Sequence, residues 1–151
     1  MSILASLRAS ASALTAQRMR MNTIANNVAN QETTRTPEGG PYRRQQVVFT
    51  PRTNGLPFLQ VLRASGLGRV GPAGGGGVQV AEVVEDPTPP RMVFQPDHPD
   101  ANADGYVAYP NVDLVSEMVD MLSATRSYEA NVTVLNSAKS MALRALDILR
   151  A

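Results

Sequence analysis

The chain has 151 residues, enough for one ordinary domain, and carries 14 Lys and Arg against 13 Asp and Glu. This near balance gives no strong field to attract nucleic acid or an anionic membrane, and the absence of cysteine excludes disulfides and thiolate metal sites. No run of 18 apolar residues occurs and the start lacks a secretory-signal pattern, so neither membrane insertion nor signal cleavage is expected.

Residues 1–33 are predicted to form an N-terminal helix. Neither proline nor glycine occurs from Ile3 to Asn30, and apolar residues recur at alternating spacings of three and four, with Arg18 filling one place in the stripe. The segment TRTPEGGP at 34–41 ends this helix, because its prolines cannot continue the backbone pattern.

Asparagines are concentrated near the end of this helix. Asn22, Asn26 and Asn30 repeat every four residues and so share one face, with Asn27 beside them. Amide groups both donate and accept hydrogen bonds, which suits contact with another chain. The alternative interpretation is a fraying helix end rich in capping residues.

Residues 34–110 are predicted to form a small antiparallel β insert. Short strand-like runs are separated by turn formers, and a Gly-rich loop extends over 66–77. The runs are YRRQQVVF, LPFLQVLR, VQVAEVVE, RMVFQ and YVAY.

Residues 111–151 are predicted to form a second long helix, which Asn111 or Asp113 could cap. Its apolar stripe is longer than the first, and both stripes are typical of helices that pack along another helix. The predicted fold class is therefore α+β, with two long terminal helices forming a coiled-coil-like pair around the β insert.

Motifs for catalysis or cofactor binding are weak. GLGRVG at 66–71 has dinucleotide-loop spacing, but Pro72 and the following glycines cannot open the helix that such a loop requires. DANADG at 100–105 begins like a calcium loop, yet its twelfth position is Asn111 and not glutamate, which favours a simple Asx turn. The carboxylates Glu117, Asp120 and Glu129 are interpreted as a solvated helix face. No catalytic, cofactor or metal residue is predicted.

Two long segments resemble a known family. TAQRMRMNTIANNVANQETTRTPEGGPYRRQQVVF at 15–49 is similar to the N-terminal signature of bacterial flagellar rod and hook proteins, and PYRRQ resembles their proximal-rod members. Residues 98–149 are similar to the C-terminal half of those members almost throughout. The stretch from about residue 51 to 77 departs from the family by being longer and Gly-rich.

The resemblance implies a structural subunit of the flagellar drive shaft, without catalysis, cofactor or small-molecule substrate. It implies location in the basal-body rod, in the periplasmic space, after export by the flagellar type III system without a cleaved signal peptide. The implied partners are proximal and distal rod subunits, the adaptor between basal ring and rod, and copies of the chain itself, with no nucleic acid.

We expect an assembly interface along both terminal helices. In the free subunit these helices are expected to be largely unfolded, because two narrow apolar stripes bury little apolar area. The apolar members are expected to form a packed seam and the asparagines to make lateral contacts. The predicted interface comprises Leu7, Leu14, Met21, Asn22, Asn26, Asn27, Asn30, Leu114, Met118, Met121, Tyr128, Asn131, Val132, Leu135, Leu146 and Leu149.

Three alternatives remain open from the residues. One is a sister rod subunit, and another is a soluble coiled-coil adaptor whose β insert binds a peptide or calcium. The third is an enzyme using Asp100, Asp104 and His98, which lacks an evident base partner and cofactor loop.

Overall fold

The structure, a computed structural model, describes residues 3–52 and 76–150. Within these ranges the chain forms two helices and four strands, which confirms the α+β class with long helices at both ends. In chain order they are α1 (Ile3–Ala29), β1 (Gln45–Pro51), β2 (Val78–Glu85), β3 (Arg91–Phe94), β4 (Tyr106–Tyr109) and α2 (Leu114–Arg150).

Helix α1 has 27 residues and is about 40 Å long. It ends at Ala29, a few residues before the predicted boundary at 33, because the chain turns at Asn30. The Asn30 side chain bonds in both directions: its amide nitrogen donates to the Asn26 carbonyl at 2.9 Å, and its oxygen accepts from the Thr33 hydroxyl at 3.1 Å. The Asn30 backbone amide also donates to the Asn26 carbonyl, at 3.1 Å, so Asn30 holds the turn at the end of the helix.

Helix α2 has 37 residues and is about 55 Å long. Asp113, and not Asn111, caps it: the Asp113 carboxylate accepts from the backbone amides of Val115 at 3.3 Å and Ser116 at 3.2 Å, and from the Ser116 hydroxyl. These donors, with Ser116 first, lower the pKa of Asp113 below its usual value. A polar residue at the cap position therefore fixes where the helix begins.

The β insert contains two separate two-stranded sheets, where one small sheet was predicted. Strand β1 pairs with β2. Strand β3 pairs antiparallel with β4 in a register that places Phe94 opposite Tyr106 and Arg91 opposite Tyr109. The strand-like run LPFLQVLR and the motif GLGRVG lie outside the described residues.

The chain divides into two compact units. The first comprises Met1–Gln17, Phe49–Ala81 and Ser127–Ala151, and the second comprises Arg18–Val48 and Glu82–Arg126. In the first unit the start of β2 contacts α1, since the Val78 amide donates to the Ser12 hydroxyl at 3.0 Å. Gly77, with φ of +94°, allows this approach, because a Cβ there would lie 2.1 Å from the Ser12 hydroxyl oxygen.

The apolar core is thin. Among the residues whose burial is described, five hydrophobic residues are buried, and three of these are alanines: Ala16, Ile24, Val107, Ala124 and Ala138. Many large apolar side chains on α2 are instead exposed. Within residues 3–52 and 76–150, neither helix has a stretch apolar enough to cross a membrane.

Candidate functional site

A polar cluster with a buried centre joins three segments of the second unit. We call it the polar clasp, and it consists of Asn27, Tyr42, Arg44, Gln45 and Glu117. Asn27 lies near the end of α1, the next three precede or begin β1, and Glu117 lies in the first turn of α2. Because these segments are far apart in sequence, the clasp forms only where all three meet.

Asn27 is the centre of the clasp, with 1% of its surface exposed. Its side-chain oxygen accepts from the Gln45 amide at 2.9 Å, and its nitrogen donates to the Gln45 carbonyl at 2.9 Å. The side-chain amide thus pairs with the strand backbone as a neighbouring strand would. The same oxygen accepts from the Tyr42 hydroxyl at 2.9 Å, and the nitrogen also donates to Glu117 at 3.1 Å.

Glu117 supplies a buried charge, since 1% of its side chain is exposed. The Arg44 Nε donates to one of its oxygens at 2.6 Å, while Asn27 donates to the other. Both carboxylate oxygens therefore have a partner, which an ionised buried carboxylate requires. The Arg44 guanidinium also lies 3.7 Å from Asp86 and 3.9 Å from Asp120.

The electrostatics of the clasp act on Tyr42. Burial raises the pKa of its hydroxyl, and the negative charges of Glu117 and Glu85 raise it further. The neutral hydroxyl is therefore the favoured form, which is the form able to donate to Asn27. A second helix-to-helix bridge lies nearby, where Arg20 and Asp120 form an ion pair at 2.9 Å.

The opposite side of α2 at this level is apolar and exposed. We call it the outward patch, and it consists of Val115, Met118, Val119 and Leu122, with exposed fractions of 69%, 57%, 61% and 58%. Their spacings of three and four place them on one side of the helix. The first turns of α2 thus bury a glutamate and expose four large apolar residues, the reverse of an ordinary surface helix.

The structure corrects one prediction at this site. Glu117 does not belong to a solvated face, since Arg44 and Asn27 hold it in the interior. Asn27 is buried whereas Asn22 and Asn26 are exposed, because its amide bonds to groups within the chain; its role at an interface stays a prediction.

The other predicted interface residues fall into two groups. Leu114, Met118 and Leu146 are exposed, so the single chain leaves them free for contacts with other chains. Those of intermediate exposure are Leu7, Leu14, Met21, Asn30, Met121, Tyr128, Asn131, Val132 and Leu135. The Leu149 side chain lies outside the described residues. Their role at an interface stays a prediction.

Sequence reasoning missed two parts of the site. Val115, Val119 and Leu122 form a second stripe with Met118 at helical spacing, a signal present in the sequence but overlooked beside the longer stripe. Arg44 gave no such signal, because nothing local to PYRRQ shows that one arginine pairs with a carboxylate 73 residues away.

The segment that begins like a calcium loop forms a hydrogen-bonded turn. The Asn102 side-chain oxygen accepts from the amides of Asp104 at 3.0 Å and Tyr106 at 2.8 Å, and Asp100 accepts from the Thr34 hydroxyl at 2.8 Å. This confirms the Asx-turn interpretation. Across 3–52 and 76–150, no three His, Cys, Asp or Glu residues cluster so as to hold a metal ion.

Comparison with protein families identifies the class. Residues 7–35 match the family described as "Flagella basal body rod protein". Residues 103–148 match the family described as "Flagellar basal body rod FlgEFG protein C-terminal". The matched ranges contain most of α1 and most of α2, so both terminal helices carry the family pattern.

Individual relatives narrow the assignment. The chain is 46% identical to the flagellar basal-body rod protein FlgC of Borreliella burgdorferi, over 99% of each chain. It is 48% identical to FlgC of Bacillus subtilis over 95% of each, and 48% identical to FlgC of Escherichia coli O157:H7 over 91% of this chain and 90% of that one. The chain therefore belongs to the FlgC family of flagellar basal-body rod proteins. It is a structural rod subunit and not an enzyme.

Proposed function

We propose that this subunit polymerises through its terminal helices into the proximal part of the rod, the drive shaft that transmits torque across the periplasm. The observation that carries this proposal is the contrast between a thin core and an exposed apolar helix surface. Apolar area left in water by the single chain is stabilising once neighbouring helices cover it.

The family supports the partners and the location in this proposal. The subunit contacts other proximal and distal rod subunits, the adaptor between basal ring and rod, and further copies of itself. It reaches the periplasmic rod through the flagellar type III export system. Membership in a basal-body rod family supports this route, since the rod lies outside the inner membrane.

Assembly also provides most of the stability of the helices in this proposal. Ordering the backbone costs about 1 to 2 kcal/mol per residue, and a core that includes Ala16, Ala124 and Ala138 buries little apolar area in return. Helices α1 and α2 therefore exchange between folded and unfolded forms in the free subunit. They become fixed as a coiled-coil-like pair when neighbours cover their outward sides.

Hydrogen exchange tests this proposal directly. In soluble monomer, residues 3–30 and 112–150 should exchange fast, and in isolated basal bodies the same residues should be strongly protected. The Val93 and Val107 amides of the β3–β4 ribbon serve as an internal reference. Strong protection of both helices in the monomer contradicts assembly-dependent folding.

Leu146→Asp tests the helix surface itself. Leu146 is 57% exposed, so an aspartate there leaves the single chain intact but places a charge where a neighbouring helix packs. We expect the variant to be absent from purified basal bodies and the cells to be non-motile. Lys139→Ala, an exposed change on the same helix, is the control. Normal motility of Leu146→Asp contradicts the proposal.

A further inference from the structure

Building on the proposed function, we propose that the outward patch of one copy is covered by the β3–β4 ribbon of a second copy. Both surfaces belong to the second unit of the chain. The contact joins two different surfaces, so it is heterologous and can repeat from copy to copy along a helical assembly.

The ribbon is apolar on both sides. Val107, on one side, is fully buried and Val93 beside it is partly buried. Alternation along the strands places Met92, Phe94 and Tyr106 on the other side, where they are 51%, 62% and 42% exposed. A two-stranded ribbon that needs only one apolar side for its own packing thus presents a second one to solvent.

The exposed side of the ribbon is preformed. The Phe94 and Tyr106 rings pack edge to face with centroids 5.3 Å apart. Gly105, with φ of +77°, lies beneath the Phe94 ring, and a Cβ there would lie 2.9 Å from Phe94 Cε2. Docking therefore requires little ordering of these aromatic groups, which lowers the entropic cost of the contact.

The charges beside the two surfaces are complementary. The turn that joins β3 to β4 carries exposed Asp97, Asp100 and Asp104. Arg126 lies one turn beyond Leu122 on the outward side of α2, is exposed, and forms no ion pair with any described residue. An apolar patch ending in a free arginine thus matches an apolar ribbon ending in an acidic turn.

The two surfaces also agree in size. The outward patch extends over seven residue steps of α2, about 10 Å at 1.5 Å per residue. Each strand of the ribbon extends over three steps, again about 10 Å at 3.3 Å per residue. One ribbon is therefore long enough to cover one patch, so a second copy of this chain can be the partner.

Engineered cysteines test the contact, because the natural chain contains none. Two differently tagged forms, Phe94→Cys and Met118→Cys, are expressed together in cells that lack the natural protein. Basal bodies are purified and treated with a short bismaleimide. We expect a covalent dimer that carries both tags and no dimer when either form is present alone.

The matched control pairs Phe94→Cys with Ser140→Cys, an exposed position farther along α2. Presence of both tagged forms in the basal bodies verifies rod assembly independently of the cross-link. If both forms assemble but no 94–118 cross-link appears, the copy-to-copy contact is wrong and the proposed function stands. The same holds if the cross-link forms only to a different rod protein. Absence of the subunit from basal bodies overturns the proposed function instead.

A charge exchange gives a second readout. Arg126→Asp in the Met118→Cys form should lower the yield of the 94–118 dimer at least several-fold, and Asp104→Arg in the Phe94→Cys form should restore it, since the two charges then attract again across the contact. Arg144→Asp, an exposed charge reversal elsewhere on α2, should leave the yield unchanged. If Arg126→Asp and the natural sequence give equal yields, charge attraction does not contribute to the contact.

Discussion

The inward and outward sides of α2 near its start differ in the residues that they carry. Glu117 lies on the inward side, where it is buried and paired with Arg44 and Asn27. The four apolar residues of the outward patch lie on the outward side. Polar contacts thus hold this unit in one arrangement, because each group needs its own partner. The apolar area is left exposed, and in the proposed assembly neighbouring subunits cover it, so the chain would separate the specificity of folding from the driving force of assembly.

Breaking the buried ion pair should have the largest effect on the inward side. Arg44→Ala leaves the Glu117 carboxylate buried without its cation, which should cost about 3 to 5 kcal/mol. Hydrogen exchange of basal bodies, followed at the Gln45 amide, should show protection lowered by roughly a hundred-fold or more.

Arg43→Ala is the matched control, since Arg43 is the exposed neighbour in the same PYRR segment. It should leave protection at Gln45 unchanged. Joint replacement, Arg44→Met with Glu117→Leu, should recover much of the loss because no unpaired charge remains. If Arg44→Ala and Arg43→Ala behave alike, the ion pair does not hold the clasp together.

Removing the central amide should have the next largest effect. Asn27→Ala leaves the Gln45 amide and carbonyl without their side-chain partner, at an expected cost of about 1 to 3 kcal/mol. Asn26→Ala is the control, because Asn26 is exposed on the same helix. The measurement is again protection at Gln45, and equal protection in both variants would assign Asn27 no structural role.

The helices and most strands could be predicted from the sequence because their signals are local. Both α1 and α2 were predicted because their segments lack proline and glycine and carry apolar residues at helical spacing. Asp113 carried a cap signal that the structure confirms. Burial of Glu117 could not be predicted. A carboxylate on a helix is ordinarily solvated, and its partner Arg44 lies 73 residues away, so only the tertiary fold reveals the pair.

A smaller effect is expected from Tyr42 in alkaline solution. Its pKa is raised in the folded chain, so the folded chain keeps the proton above pH 10.0, where the unfolded chain begins to lose it. The free energy of unfolding therefore falls as pH rises through 10.0 toward the folded pKa, and is unaffected at neutral pH. Urea release of the subunit from basal bodies at pH 8 and pH 10.5 should show this fall in the natural sequence and a smaller one in Tyr42→Phe.

The smallest effect on the single chain is expected from Leu122→Ala on the outward side. Leu122 is 58% exposed, so its loss should change the stability of the chain by no more than about 0.5 kcal/mol. In the proposed assembly the same side chain is covered, so its loss should cost about 1 to 2 kcal/mol of assembly energy, roughly ten-fold in affinity. Competition between tagged natural and variant subunits for places in basal bodies measures this.

Met121→Ala, a less exposed residue on the same turn, should instead lower protection at Gln45. If Leu122→Ala lowers that protection as much as Met121→Ala while competing normally, then the outward patch stabilises the fold and not the assembly.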